Sequence, residues 1–250
     1  MRAESFTVRL AAALGAAVLS LGTASAQGTR AANEVRALVA ADTDTTLVAP
    51  MAGVVLKVDT QLGANFSKGE LLVLYDCKEP QARLGIAQAE IAAARETHEA
   101  KLRLQGMQQA GEVEVALAAA ALEKARAQHE LARVQADYCT VIAPFSGRAV
   151  KLHVKPFQGT TVGQPLLDVV SAGPVRLRMN APSAWLQWLK PGTPFDVTVD
   201  ETGRSFAAKV TAINGRVDAA SQSVEIEGRV VQPVSLLPGM SGTARFKHAP

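Results

Sequence analysis

The sequence predicts a mostly β, α+β chain: one β unit split by an antiparallel helical hairpin, then a small antiparallel β-barrel. Three observations predict it: two echoing strand-and-glycine segments, a proline-poor alanine-rich stretch between them, and short alternating strands after both.

The echo comes first. Ala49-Pro50-Met51-Ala52-Gly53-Val54-Val55 is answered by Ala143-Pro144-Phe145-Ser146-Gly147-Arg148-Ala149, and Lys68-Gly69-Glu70-Leu71-Leu72 by Val162-Gly163-Gln164-Pro165-Leu166-Leu167. Pro50 and Gly69 lie 19 positions apart, as do Pro144 and Gly163. Gly63 is matched with Gly159. Each copy reads as short strands, with Val54, Leu56 and Val58 alternating in one and Val150, Leu152 and Val154 in the other. One copy has too few strands to close a core, so the two are expected to face each other as a small sandwich.

Between the copies, about Pro80 to Gln105 and Glu112 to Asp137 are rich in Ala, Glu, Gln, Arg and Leu, the strong helix formers. Leu84, Ala87, Ile91, Ala94 and His98 follow a 3-4 spacing, as do Val115, Ala118, Leu122, Ala125, His129 and Ala132. Gly106 and Gly111 bracket a short reversal. An antiparallel coiled coil with a small-residue seam follows. Cys77 just precedes the first helix and Cys139 just follows the second, so both belong at the hairpin base. A disulfide there would close a long loop and contribute ~3–4 kcal/mol in the chain-entropy model; two buried free thiols or a metal pair are the alternatives.

After Gly173-Pro174 the pattern returns to strands. Val175 to Met179, Phe195 to Val199, Ala207 to Ile213, Ser223 to Val231 and Thr243 to Phe246 alternate between turns, which suggests the barrel. Ser183 to Leu189 reads as a short helix capped by Ser183, with Trp185 and Trp188 packing into the barrel. Asp200, Glu201 and Asp218 fall in turns as solvated carboxylates.

Ahead of all this, Arg2 and Arg9, the apolar run Leu10 to Leu21 and Ala24-Ser25-Ala26 form the three-part pattern of a secretory signal peptide over 1–26. Setting aside Arg2, Arg9 and Glu4 leaves 24 of the 26 basic and 22 of the 23 acidic residues, a balance too even to indicate nucleic acid. No G-x-S-x-G, H-E-x-x-H or phosphate loop is present, and no cofactor or metal site is expected, so the chain reads as a non-enzyme. His98 and His129 sit on the seam without facing each other, and Met51, Met107, Met179 and Met240 are dispersed, which argues against a metal relay.

These pieces, in this order, resemble the HlyD-type periplasmic adaptor (membrane fusion protein) family, notably the adaptors of RND efflux pumps. The segments that carry the likeness are Ala49-Pro50-x-x-Gly53, Gly69-Glu70-Leu71-Leu72, the alanine-rich hairpin, Ala143 to Arg148, and Leu237-Pro238-Gly239-Met240. The resemblance implies an N-terminal segment over 27–44, a split lipoyl-like (barrel-sandwich) domain over 45–78 and 139–172, the hairpin over 79–138 and the β-barrel over 173–247. It also implies a periplasmic subunit held at the inner membrane by a transporter, RND-type by this likeness. Its hairpin would reach a TolC-like outer-membrane channel, and several copies would form a ring.

Two departures qualify that picture. Many members continue into a membrane-proximal domain; here Pro250 comes first, so transporter contact is expected on the barrel and residues 27–44. Channel-docking members carry Arg, Leu and Ser at set spacing near the tip. Leu104 falls at the leucine position, Gly111 at the serine and Ala100, beside Lys101, at the arginine. The expected tip contacts are Leu104, Gln105, Gly106, Gln109, Gly111 and Glu112. A scaffold without a channel partner is the alternative. So is a lipoyl or biotinyl carrier, although Lys78 stands where the long insertion replaces the carriers' exposed turn.

Overall fold

The computed structural model describes residues 33–232 and 235–247; the expected signal peptide lies outside the described residues. In chain order come β1 (Glu34–Ala40), β2 (Asp44–Val48), β3 (Gly53–Val58), β4 (Asn65–Phe66), β5 (Leu71–Tyr75), α1 (Lys78–Gly106) and α2 (Glu112–Asp137). The second half holds β6 (Thr140–Ile142), β7 (Gly147–Leu152), β8 (Gly159–Thr160), β9 (Pro165–Ser171), β10 (Arg176–Pro182), β11 (Pro194–Val199), β12 (Arg204–Asp218), β13 (Ser223–Val230) and β14 (Ser241–Phe246).

The two echoing segments build one body. Its sheets run β2-β9-β7-β4 and β6-β5-β3-β8, so each sheet takes two strands from either side of the hairpin. Exchanging the halves turns one order into the other. One core joins them, with Val55, Leu72, Val73 and Tyr75 from the first half against Leu166, Leu167 and Val169 from the second, all at most 1% exposed. Neither half can complete a sheet alone.

The phase of β3 and β7 differs from simple alternation. Val55 and Ala149 point inward, whereas Val54 and Val150 are about half exposed. The pairing registers skip Leu56 in β3 and Val150 in β7, equivalent positions of the two copies. They also skip Leu72 in β5 and Leu166 in β9, again equivalents. A bulge sets two successive residues against one on the partner strand. That is how both Leu72 and Val73, and both Leu166 and Leu167, are buried.

The turn after each copy's first strand is also shared. The offset that carries Pro50 onto Pro144 carries Gly63 onto Phe157, not onto Gly159, which lies in β8. Gly63 has φ 76° and Phe157 φ 66°. The same left-handed turn is thus made once by the residue suited to it and once by an aromatic that is strained there. Gly69 and Gly163, at φ 84° and 80°, match as expected.

The barrel closes in the order β1-β10-β13-β12-β11-β14. Its first strand comes from residues 27–44, the stretch read as a separate N-terminal segment: β1 pairs with β10 on one side and β14 on the other. Phe195 stacks on Phe246 at 4.9 Å, and Trp185 meets the same ring edge-on at 5.2 Å. Trp188 packs at 6.0 Å, so both tryptophans pack into the barrel as expected. Residues 183–187 form a 3-10 turn that begins after Pro182; Ser183 makes no side-chain cap. Its backbone N–H donates instead to Gln222 O.

Two connections join the barrel to the two-sheet body, and Asp42 fixes one of them. Its carboxylate lies 3.2 Å from Arg176 Nε in β10 and 2.7 Å from an Arg229 nitrogen in β13. Beyond it, Thr43 and Ser171 exchange hydrogen bonds, which ties the incoming chain to the outgoing one.

Candidate functional site

α1 and α2 pack on each other as an antiparallel pair set between the two halves of the sheet body, and their sequence explains the form. On α1 the residues at 84, 87, 91, 94 and 98 are buried or half-buried, and on α2 those at 115, 118, 122, 125, 129 and 132. The expected seam is the observed one. Ala87, Ala118, Ala125 and Ala132 are buried, so small side chains line the contact between the helices. Lys101 and Glu114 pair at 3.4 Å just below the tip, between side chains that are substantially exposed. His98 lies beside Ala119 and Leu122 on a shallow groove of about 540 Å³, away from His129.

At the tip, the N–H groups of Met107 and Gln109 donate to Leu104 O, and that of Gln108 to Gln105 O. Gln108 takes the left-handed conformation at φ 58°. Gly111 precedes α2 with no side-chain cap, and Glu112 and Glu114 fill the first turn, where the helix dipole favours acids. Gly106, Gln109, Gly111 and Glu112 are exposed; Leu104 and Gln105 are half-buried. Around the tip, Met107, Val113 and Leu117 are each more than 60% exposed, apolar surface that the tip motif passes over. The signal was present, since Val113 and Leu117 are apolar and fall off the seam that begins at Val115.

At the other end, Cys77 and Cys139 form a disulfide with Cα atoms 5.7 Å apart. Tyr75 N–H donates to Cys139 O at 2.8 Å and Asp76 N–H to Val54 O at 2.9 Å, so the root is continuous with the sheets. Tyr75 is buried, with its hydroxyl 3.2 Å from Thr160 Oγ1. Lys78 is the first helical residue, solvated at 92% exposure, with Nζ 3.8 Å from Asp76.

Hairpin and barrel leave from opposite ends. β3 starts beside the root, where Val55 pairs with Tyr75. The loop after it brings Gly63 N–H to Ala149 O. There β7 pairs with the end of β9, at Ser171, from which the chain departs for the barrel.

Polar clusters elsewhere are structural. Asp168 accepts from Thr46 Oγ1 at 2.7 Å and lies 2.8 Å from His153 Nε2. The Thr46 hydroxyl, and then His153, hold its carboxyl below the usual range. Glu201 and Asp218 are exposed, as expected of solvated carboxylates, and each also accepts a backbone hydrogen bond that holds its carboxyl below the usual range, from the Ser241 N–H and the Ser221 N–H respectively. Asp200 pairs with Arg36 at 2.8 Å. Among the described residues no three His, Cys, Asp or Glu side chains gather to hold a metal, and no helix is long and apolar enough to cross a membrane.

No protein-family model matches the chain. An uncharacterised protein of Haemophilus influenzae is 28% identical over 177 residues, covering 70% of this chain and 46% of that protein. The nickel-cobalt-cadmium resistance protein NccB of Alcaligenes xylosoxydans xylosoxydans is 26% identical over 201 residues, 76% of this chain and 50% of NccB. The chain spans about half the length of the curated relatives it matches. Among solved structures, the membrane fusion protein Spr0693 of Streptococcus pneumoniae matches with a TM-score of 0.71 and 19% identity, over 87% of this chain and 99% of that one. A MacA–MexA chimera carrying the Pseudomonas aeruginosa MexA α-hairpin matches with a TM-score of 0.76 and 21% identity, over 86% and 80%.

The fold is that of the membrane fusion proteins, the periplasmic adaptors.

In this membrane fusion protein fold the closed six-stranded barrel and the helix pair are the parts that flank the two-sheet body. The solved structures it resembles are adaptors rather than enzymes.

Proposed function

We propose that this chain is the periplasmic adaptor subunit of a tripartite efflux or secretion system, of HlyD type, linking an inner-membrane transporter to an outer-membrane channel. Residues 45–78 and 139–172 act as a split lipoyl-like domain, 79–138 as a coiled-coil hairpin, and 173–247 together with the strand at 34–40 as the barrel. Residues 1–26 direct the chain to the periplasm. The transporter is of RND type, the channel TolC-like, and several copies form a ring. The role is mechanical and non-enzymatic.

One observation carries this reading: a barrel and a long hairpin project from opposite ends of a body that neither half can build alone. At 1.5 Å per residue the 29-residue α1 extends about 44 Å, a reach suited to spanning between two partners. The barrel, with β1, meets the transporter. Leu104, Gln105, Gly106, Gln109, Gly111 and Glu112 meet the channel or a neighbouring tip, with Met107, Val113 and Leu117 adding the apolar contact.

The test is recovery of partners from solubilised membranes with an affinity-tagged chain. The wild type brings down a transporter and a channel, and Leu104→Asp with Gly111→Asp loses the channel while keeping its melting temperature and the transporter. Recovery of neither partner by the wild type, or unimpaired export by the double variant, overturns the proposal. A transporter without a channel points to a scaffold instead.

A further inference from the structure

The barrel and the two-sheet body have separate cores. Val175, Leu177 and Phe246 belong to one and Val55, Leu72 and Leu167 to the other, with no residue in common. Two short stretches of chain join them as a neck, residues 41–43 between β1 and β2 and residues 172–175 between β9 and β10. Bodies joined without a shared apolar core move as units. Where the neck can bend depends on what holds each of its residues.

On the first connection the division is sharp. Ala41 and Asp42 belong to the barrel: an Arg176 nitrogen donates to both their carbonyl oxygens, and the Asp42 carboxylate meets Arg176 and Arg229. Thr43 belongs to the body. Its N–H donates to Ser171 Oγ at 3.0 Å, and its carbonyl accepts from Ser171 N–H at 2.9 Å. On the second connection, Ala172 N–H donates to Ser146 O in the body, and Val175 is buried in the barrel. Between them Gly173 and Pro174 are exposed and make no hydrogen bond among the described residues. Gly173 takes φ 136°, which residues with a side chain rarely adopt, and no atom crowds it.

Charge explains why Asp42 sides with the barrel. Arg176 of β10 stands directly opposite Arg229 of β13, which stands opposite Lys209 of β12. Like charges facing each other across a sheet repel. Glu227 answers Arg176 at 3.3 Å. Asp42 answers both arginines from the neck, at 3.2 Å and 2.7 Å. Its side chain is 41% exposed, so dissolved salt reaches these pairs.

We infer that the neck is a hinge with an ionic latch: the barrel rocks on the two-sheet body about Asp42–Thr43 and Gly173–Pro174, and the grip of Arg176 and Arg229 on Asp42 limits the swing. Closed, the latch leaves one pivot on each connection, and two pivots allow rotation about a single axis. Open, it frees Ala41 and Asp42 as well, and that axis is lost. The helix pair leaves the far end of the body, so a small rotation at the neck carries its tip through a long arc. The inference rests on the neck alone and holds whatever partners the chain meets.

The test is pulsed electron-spin distance measurement on the full chain. Nitroxides are placed on Lys68→Cys in the body and Lys190→Cys in the barrel; a control pair, Lys190→Cys with Arg204→Cys, lies within the barrel, and all three sites are exposed. The native disulfide leaves the introduced cysteines as the labelled thiols. At low salt Asp42→Asn broadens the body-to-barrel distance distribution about twofold. Salt at about 1 M, where the screening length is ~3 Å, broadens the distribution of the intact latch likewise and leaves that of Asp42→Asn unchanged. Gly173→Ala moves the mean distance, because the second pivot loses its φ. The control pair stays constant throughout. Equal widths for Asp42→Asn and the intact latch at low salt overturn the inference. So do salt broadening that persists in Asp42→Asn, an unmoved mean in Gly173→Ala, and broadening of the control pair, which marks a loosened barrel instead of a hinge. The salt readout on the intact latch needs no Asp42 variant; should Asp42→Asn fail to fold, a width independent of salt overturns the inference by itself.

Discussion

Cys77 and Cys139 lie 62 positions apart in sequence and 5.7 Å apart between Cα atoms, so the two helices leave and re-enter the sheets through one covalent root. Denatured, unreduced protein should therefore titrate no free thiols, and two would refute the bond. Cys77→Ala with Cys139→Ala should cost about 3–4 kcal/mol, seen in denaturant melts as a shifted midpoint.

Gly147 and Gly53 occupy equivalent positions but tolerate a side chain differently. A Cβ on Gly147 would collide with the Val170 carbonyl oxygen and approach Phe66 Cζ to 2.9 Å; on Gly53 it would make ordinary 3.4 Å contacts with Met51 and Tyr75. Gly147→Ala should destabilise by about 1–3 kcal/mol, as overpacking does. Gly53→Ala should stay within about 0.5 kcal/mol. Equal losses in chemical denaturation would contradict the difference.

Phe157 holds φ 66° while 80% of it faces solvent, so its ring gains little from burial. Phe157→Gly should stabilise by about 0.5–1 kcal/mol, relieved backbone strain outweighing the greater freedom of the unfolded chain. A lower melting temperature would show that the ring contributes packing after all.

Asp168 is stabilised as a carboxylate by the Thr46 hydroxyl and by His153, so its folded pKa lies below the unfolded one. Its contribution is then complete above the unfolded value of ~3.9 and is lost as pH falls through the folded one. Asp168→Asn should be less stable than wild type at pH 7, and the gap should shrink below about pH 5. A gap independent of pH would locate the effect in packing.

The helix pair was the most legible part. A 3-4 spacing marked by alanine is local, and every seam residue named from it is buried or half-buried. The repeat was legible in its motifs but not in its phase. Val54 and Val55 are both β formers, so composition could not say which faces inward, and the bulges at Leu56 and Val150 reset the alternation. Gly63 was matched with the wrong residue because glycine suggested glycine, whereas spacing leads to Phe157. β1 escaped because a single strand far from its partners carries no local sign of them. Tip exposure was half legible: Leu104 follows a motif, while Met107 shows its surface only once the turn is built.

The order of the chain has a consequence for assembly. Elements close in nested brackets: helix on helix, then sheet on sheet around them, then barrel strands around both, β1 waiting for β10 and β14. Each inner closure brings the flanking segments near, so the next one pays less loop entropy than its sequence separation suggests. This nesting predicts assembly from the helix pair outward, with the seams of β1 to β10 and β14 closing last.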